Sequence, residues 1–256
     1  MHLDVVDLRA FYYRTKLGRA TKTTLQDVLG GLWSDLEGQT VVGFGFAVPM
    51  LRPFLTTARR VISLMPSQQG VIPWPKQGGN VSCLCEETNW PIEAGSVDKL
   101  IVAHGLETCE RPDALLAEIW RVLAPGGSAV FIVPNRAGLW SRRDGTPFGY
   151  GRPYTTRQLE AQLRKHKFVP DRQMSALYGP PSERRFWLRT ARFWERTGNR
   201  LGSQLMAGAL IVEASKQVYL MPRGGTPEAL KGPLEVLEGL AKPKPRPVGQ
   251  RFRPDN

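Results

Sequence analysis

The stretch "SVDKLIVAHGLETCERPDALLAEIWRVLAPGGSAVFIVPN", residues 96–135, constrains the fold more than any other part of the chain. Its first third is a nearly continuous apolar run, the pattern of a strand covered on both faces. Leu115, Leu116, Ile119, Trp120 and Leu123 then recur on one helical face, with Pro112 and Asp113 at the start, where a missing N–H and a negative charge both suit a helix. "APGG" stops that helix, and "SAVFIVPN" reads as a second buried strand. Strand, helix, glycine turn and strand in this order make a right-handed βαβ unit, which requires a parallel sheet with helices on its faces.

The flanking sequence extends the unit in both directions. Residues Val5 to about Trp33 carry a helical pattern, with Leu8, Phe11, Tyr12, Leu25, Val28, Leu29 and Leu32 spaced by threes and fours. "QTVVGFGF" and "RRVISLMP" read as strands, separated by "PMLRPFL", in which two prolines keep any helix short. "SQQGVIPWPKQGGN" is loop-like. Thr155 and Gln158 are spaced as a capping box for a helix reaching about His166. A strand near Val169–Ser175, a helix over 183–200 and a last apolar strand in "GALIVEASKQVYLMP" complete the pattern. Three segments result: an N-terminal helical part at 1–37, an α/β domain at 38–222, and a Pro-rich basic tail at 223–256 that cannot bury enough surface to fold alone.

Charge narrows the partners. Thirty-five Lys and Arg against 23 Asp and Glu leave a net +12, a field that attracts anionic small molecules, acidic proteins, nucleic acid or an anionic membrane surface. The 183–200 segment places Arg185, Arg189, Arg192, Arg196 and Arg200 on one helical stripe opposite Phe186, Trp187, Phe193 and Trp194. That stripe either faces water while the aromatics pack, or meets an acidic protein or lipid. No motif specific to nucleic acid or membrane accompanies it. Cys83, Cys85 and Cys109 fit neither a disulfide framework nor a metal knuckle, so no metal is expected and a reducing cytoplasm is the simplest compartment.

Residues 86–135 resemble the central segment of class I S-adenosylmethionine-dependent methyltransferases, the type 11 group in particular. The resemblance rests on Glu86, Trp90-Pro91-Ile92, Gly95-Ser96-Val97-Asp98, His104, the run from Pro112 to Gly127, and Pro134-Asn135, in that order over about fifty residues. It implies a Rossmann-like, doubly wound α/β sheet of seven strands with the last antiparallel, an N-terminal helix and a flexible basic tail. It also implies S-adenosylmethionine bound across the carboxyl ends of the first strands.

The implied cofactor residues are Gly43, Phe44, Gly45 and Ala47 in the first turn, Met65 at the second strand, Glu86 and Glu87 at the third motif, and His104. Four positions depart from the pattern. Gly43 stands where an acid is usual, Ala47 and Pro49 where glycines are, and Met65 where an acid takes the ribose hydroxyls. His104 is either a general base or a packed core histidine. Acceptor contacts would come from Tyr12, Tyr13, Trp140, Arg142, Arg143, Arg152 and Tyr154, with arginines clamping a small or anionic acceptor, or these residues line a solvated loop. Three functions follow: a methyltransferase, a methyltransferase-fold protein whose cofactor site has weakened and which serves as a protein-binding or regulatory partner, or an RNA- or lipid-modifying enzyme drawn to its substrate by the +12 charge.

Overall fold

In a computed structural model of the 256-residue chain, the described residues are 3–190, 194–195 and 207–217. The tail at 223–256, and Arg192, Arg196 and Arg200 of the basic stripe, lie outside them.

Two helices precede the sheet, α1 at Val5–Arg14 and α2 at Lys16–Leu32. The sequence pattern predicts one continuous helical stretch, and Thr15 divides it. Its hydroxyl donates to the Phe11 carbonyl at 2.9 Å and accepts from Gly18 N–H at 2.8 Å. Thr15 thus closes α1 and caps α2 with the same group. Asp4 caps α1 by accepting from Val6 N–H at 2.7 Å.

Seven strands form one sheet in the order β3 (Ser82–Cys85), β2 (Arg60–Pro66), β1 (Thr40–Gly45), β4 (Val97–Ala103), β5 (Leu123–Pro134), β7 (Ala209–Lys216) and β6 (Phe168–Ala176). The β1–β2, β1–β4, β2–β3 and β4–β5 pairs are parallel, and β7 runs antiparallel between β5 and β6. The "APGG" predicted as a plain turn lies inside β5, which pairs Leu123 with Val97, shifts register, and resumes at Ser128 opposite Lys99.

Strand alternation sends residues to two cores. Val41, Ile101, Val130, Ile132 and Ile211 pack with α1, α2 and α3 (Val48–Leu51), while Val42, Phe44, Leu100, Val102, Phe131 and Val212 pack with α4 (Pro112–Val122) and α5 (Thr156–Lys165). The α5 capping box is formed, Gln158 N–H reaching the Thr155 hydroxyl at 3.2 Å and the Gln158 side chain accepting from Thr155 N–H at 3.2 Å. Within the predicted 183–200 helix, α6 covers Arg185–Arg189, followed by a short helical piece at residues 194–195. Among the described residues no helix is long and apolar enough to cross a membrane.

Candidate functional site

Parallel strands direct their carboxyl ends to one rim, and the residues just past β1, β2, β3 and β4 meet there. At β1 the chain turns through Gly45, whose φ of +79° belongs to the left-handed region. A β-carbon there would run into the Ala103 carbonyl oxygen, which accepts from Phe46 N–H at 2.8 Å. The absent side chain thus lets β1 and β4 close on each other. Gly43 faces α3, where a β-carbon would stand 2.6 Å from Leu51 Cδ1 and 2.7 Å from Ala47 Cβ. The space an acid would occupy is filled by those two side chains, which is the physical counterpart of the lost motif acid. Phe44 points to the opposite core and stacks on Trp90 at 4.8 Å.

At the end of β2, Met65 is buried, Ser67 and Gln68 are exposed, and Gln69 turns inward. The Gln69 side-chain amide donates to the His104 carbonyl, while the Gln69 main-chain carbonyl accepts from Val5 N–H at 2.8 Å, so this turn ties α1 to the end of β4. Past β3 the two acids diverge. Glu86 is exposed. Glu87 is buried and accepts from the Cys109 thiol at 3.3 Å and from Glu110 N–H at 3.4 Å, bracing the start of α4. Farther on, Glu118 accepts from Trp90 N–H at 2.7 Å and holds Arg121 through two bonds of 2.7 and 2.8 Å. Arg121 keeps the Glu118 carboxyl below the usual range, and the pair fixes the loop that carries both acids.

His104 occupies the end of β4 with a φ of 52°, a conformation that costs a non-glycine residue roughly 1–2 kcal/mol. It is 2 % exposed. Its Nε2 lies 2.7 Å from the Tyr12 hydroxyl, its ring packs edge-on to Phe148 at 4.9 Å, and its Nδ1 lies 3.3 Å from Glu107 Oε1 without hydrogen-bonding geometry. Burial, followed by the Glu107 carboxylate, pushes the Tyr12 phenol well above its ordinary value. Glu107 and Phe148 are absent from the sequence-derived residues. An acid in "GLET" reads as a solvated loop residue, and only the path of residues 147–154 over it reveals its burial.

The sequence-derived acceptor residues separate into groups. Tyr12 joins His104. Tyr13 is half-buried, with its hydroxyl unpartnered and Lys22 Nζ 5.2 Å above its ring. Trp140 is buried, donates to the Gly179 carbonyl at 2.8 Å and packs on Phe148 at 5.7 Å. Arg142 and Arg152 are exposed, the Arg152 backbone N–H donating to the Glu107 carbonyl at 2.8 Å. Tyr154 is half-buried, and burial together with Glu107 pushes its phenol up to about 12. Arg143 donates to the Pro181 carbonyl at 2.8 Å and lines a cavity of about 290 Å³ with Phe11, Thr15, Leu17, Thr146 and Ser182.

Beside that cavity, Glu195 accepts from Tyr178 N–H at 3.0 Å, and burial pushes its carboxyl up to about 7. The folded-state value lies above the ordinary 4.5, so the folded protein holds the proton more tightly. Its contribution to stability is full below the ordinary value and lost as pH rises through about 7. Glu195→Gln mimics the protonated acid at every pH. The melting temperature of the wild type minus that of the variant should therefore fall between pH 5 and pH 8.5. A difference that stays constant across that range would place Glu195 in water.

Residues 41–131 match the model of a family described as a methyltransferase domain. The chain carries a methyltransferase domain. Solved structures agree on the fold. An S-adenosylmethionine-dependent methyltransferase from Thermotoga maritima, described as a possible histamine N-methyltransferase, is 16 % identical, with a TM-score of 0.58 over 78 % of this chain and 91 % of that one. A methyltransferase from Mesorhizobium loti is 14 % identical, with a TM-score of 0.52 over 74 % and 96 %. The geranyl diphosphate C-methyltransferase of Streptomyces coelicolor A3(2), solved with Mg2+, geranyl-S-thiolodiphosphate and S-adenosyl-L-homocysteine, is 16 % identical, with a TM-score of 0.51 over 75 % and 74 %. No curated protein matches the chain.

The rim of the methyltransferase domain suits S-adenosylmethionine at some positions and not at others. Glu86 offers an exposed carboxylate just past β3, and the Gly45 turn brings backbone to the rim without a side chain. Met65 offers no acceptor to the ribose, which leaves Ser67 and Gln68 just beyond it. The buried atoms of His104 and Glu107 that lack hydrogen bonds give the rim unused polar capacity beside β4. On these observations the residues fit the cofactor, with fewer anchors than the family pattern provides.

Proposed function

We propose that the chain is an S-adenosylmethionine-dependent methyltransferase acting on a small acceptor, and that it works in a reducing cytoplasm. The observation that carries this reading is the meeting, at one rim, of the Gly45 turn, the exposed Glu86 and the buried His104. When bound, the cofactor supplies a methyl group already activated on a sulfonium. The protein's task is then chiefly to position the partners and exclude water. Glu86 accepts from the adenine amino group, and Ser67 and Gln68 take the ribose. Tyr12 engages the His104 imidazole at Nε2 and Gln69 holds the His104 main-chain carbonyl, which leaves Nδ1 to receive a proton from the acceptor. Arg143 and Thr146 line the acceptor's approach. The three free cysteines suit the compartment; burial pushes the thiols of Cys85 and Cys109 up to about 12, so both are inert.

Calorimetric titration with S-adenosylhomocysteine tests this reading. Binding is expected in the wild type, and Glu86→Ala should weaken it roughly ten- to a hundredfold, since a hydrogen bond to a charged group contributes about 1.5–3 kcal/mol. The melting temperature should hardly change, because Glu86 is exposed. Heat absent at millimolar ligand would end the enzyme reading and leave the fold to a protein-binding or regulatory role. An unaltered affinity in Glu86→Ala would remove that residue from the site.

A further inference from the structure

The end of β4 carries an anomaly. His104 Nδ1 and both carboxylate oxygens of Glu107 are buried, and among the described residues none has a hydrogen-bond partner. His104 and Glu107 are each 2 % exposed, so bulk water does not satisfy them. An unmet buried donor or acceptor costs about 1–3 kcal/mol, more for a charged group, and folded proteins seldom leave three together. His104 Nδ1 and Glu107 Oε1 face each other at 3.3 Å without hydrogen-bonding geometry, and the other neighbouring side chains do not answer the need. The Tyr12 hydroxyl is engaged with His104 Nε2, and the Arg152 side chain is exposed while only its backbone N–H reaches Glu107, at the carbonyl.

We propose that Glu107 and His104 form the receptor for a protonated amine on the acceptor. This deepens the methyl-transfer reading and rests on it. A carboxylate without donors calls for a donor-rich cation, and an ammonium group brings up to three N–H bonds and a positive charge in the volume of a methyl group. The rings around the pair suit the same guest, because Phe148 and Tyr12 flank the imidazole with aromatic surface, to which a cation is attracted. An anion would face a buried carboxylate, and a neutral alcohol has one hydrogen to give. A cavity lies close in the chain to the residues that pack on the pair. Phe11, next to Tyr12, and Thr146, two residues before Phe148, both line the 290 Å³ cavity. The Thr146 hydroxyl is buried and has no partner among the described residues. The +12 charge of the whole chain works against amines at long range, so this recognition is local and depends on one acid.

The test follows the imidazole resonances of the full chain, which has three histidines, by nitrogen-detected NMR while ethylammonium chloride is added at constant ionic strength. Ethanol at the same concentrations is the neutral control. The His104 signals should shift saturably with ethylammonium, not with ethanol, and the ethylammonium response should fall at least tenfold in Glu107→Gln. That variant should also melt higher than the wild type by about 2–4 °C, since an amide removes an uncompensated buried charge. A melting temperature lowered by the change would make Glu107 a structural partner of His104 and overturn the proposal. If the variant does not fold, the wild-type titration decides alone: equal responses to ethylammonium and ethanol, or none to either, overturn the receptor. Loss of the amine response with S-adenosylhomocysteine still bound sinks only the amine receptor. An amine response without S-adenosylhomocysteine binding sinks methyl transfer instead.

Discussion

Gly45→Ala should unfold the protein at markedly lower urea, with a loss of about 3–5 kcal/mol. Two costs combine. A φ of +79° penalises any L side chain by roughly 1–2 kcal/mol. The new methyl group would also meet the Ala103 carbonyl, Gly105 N and the His104 backbone, and these are main-chain atoms that cannot rotate aside. Relief requires β1 and β4 to part, which breaks the 2.8 Å bond from Phe46 N–H to Ala103 and disturbs the register of the sheet's central pair. Against a typical total of about 5–15 kcal/mol, such a loss is severe. Denaturant midpoints measure it directly; a midpoint within error of the wild type would show that the crossing has slack.

Gly43→Asp restores the acid usual at the first turn, yet it should destabilise by several kcal/mol and fail to improve affinity for S-adenosylhomocysteine. The new β-carbon would stand within 2.7 Å of both Leu51 Cδ1 and Ala47 Cβ, so overpacking comes first. The carboxylate would then lie among buried apolar groups, including Leu51 and Met50, where an uncompensated charge is costly. Adding Leu51→Ala should recover part of the loss, because the two side chains compete for one space. Strict additivity of the two changes, or an unmodified melting temperature for Gly43→Asp alone, would mean that an acid at 43 finds another exit.

That second result bears on how far the sequence could be read. The βαβ centre was legible because the strands are apolar on both faces and α4 repeats its burial at Leu115, Leu116, Ile119 and Val122. The Thr155 cap was legible because a reciprocal pair of hydrogen bonds has a fixed spacing. β3 was not, since only Cys85 of its four residues is buried and an edge strand needs little apolar pattern. The division of the N-terminal helix was also hidden, because Thr15 is a common residue whose capping role depends on backbone direction. At the site, His104 and Tyr12 could be singled out from the strand end and the helix face. Their 2.7 Å contact across 92 positions could not, nor could the burial of Glu107, which depends on a segment some forty residues away.

The reversal of β7 has a consequence for how the sheet is completed. In the finished sheet β6 pairs only with β7, and β5 has β7 on one side. Both pairings span many positions: Pro134 meets Ala209, and Phe168 meets Lys216. Until residues 209–216 arrive, β5 presents an unpaired edge and β6 has no neighbour at all. Closing such distant pairs costs loop entropy before any contact repays it, so the last strand gates the cooperative step. The rim that carries His104 and Glu107 belongs to the parallel half of the sheet, while the antiparallel half is complete only when residues 209–216 are in place.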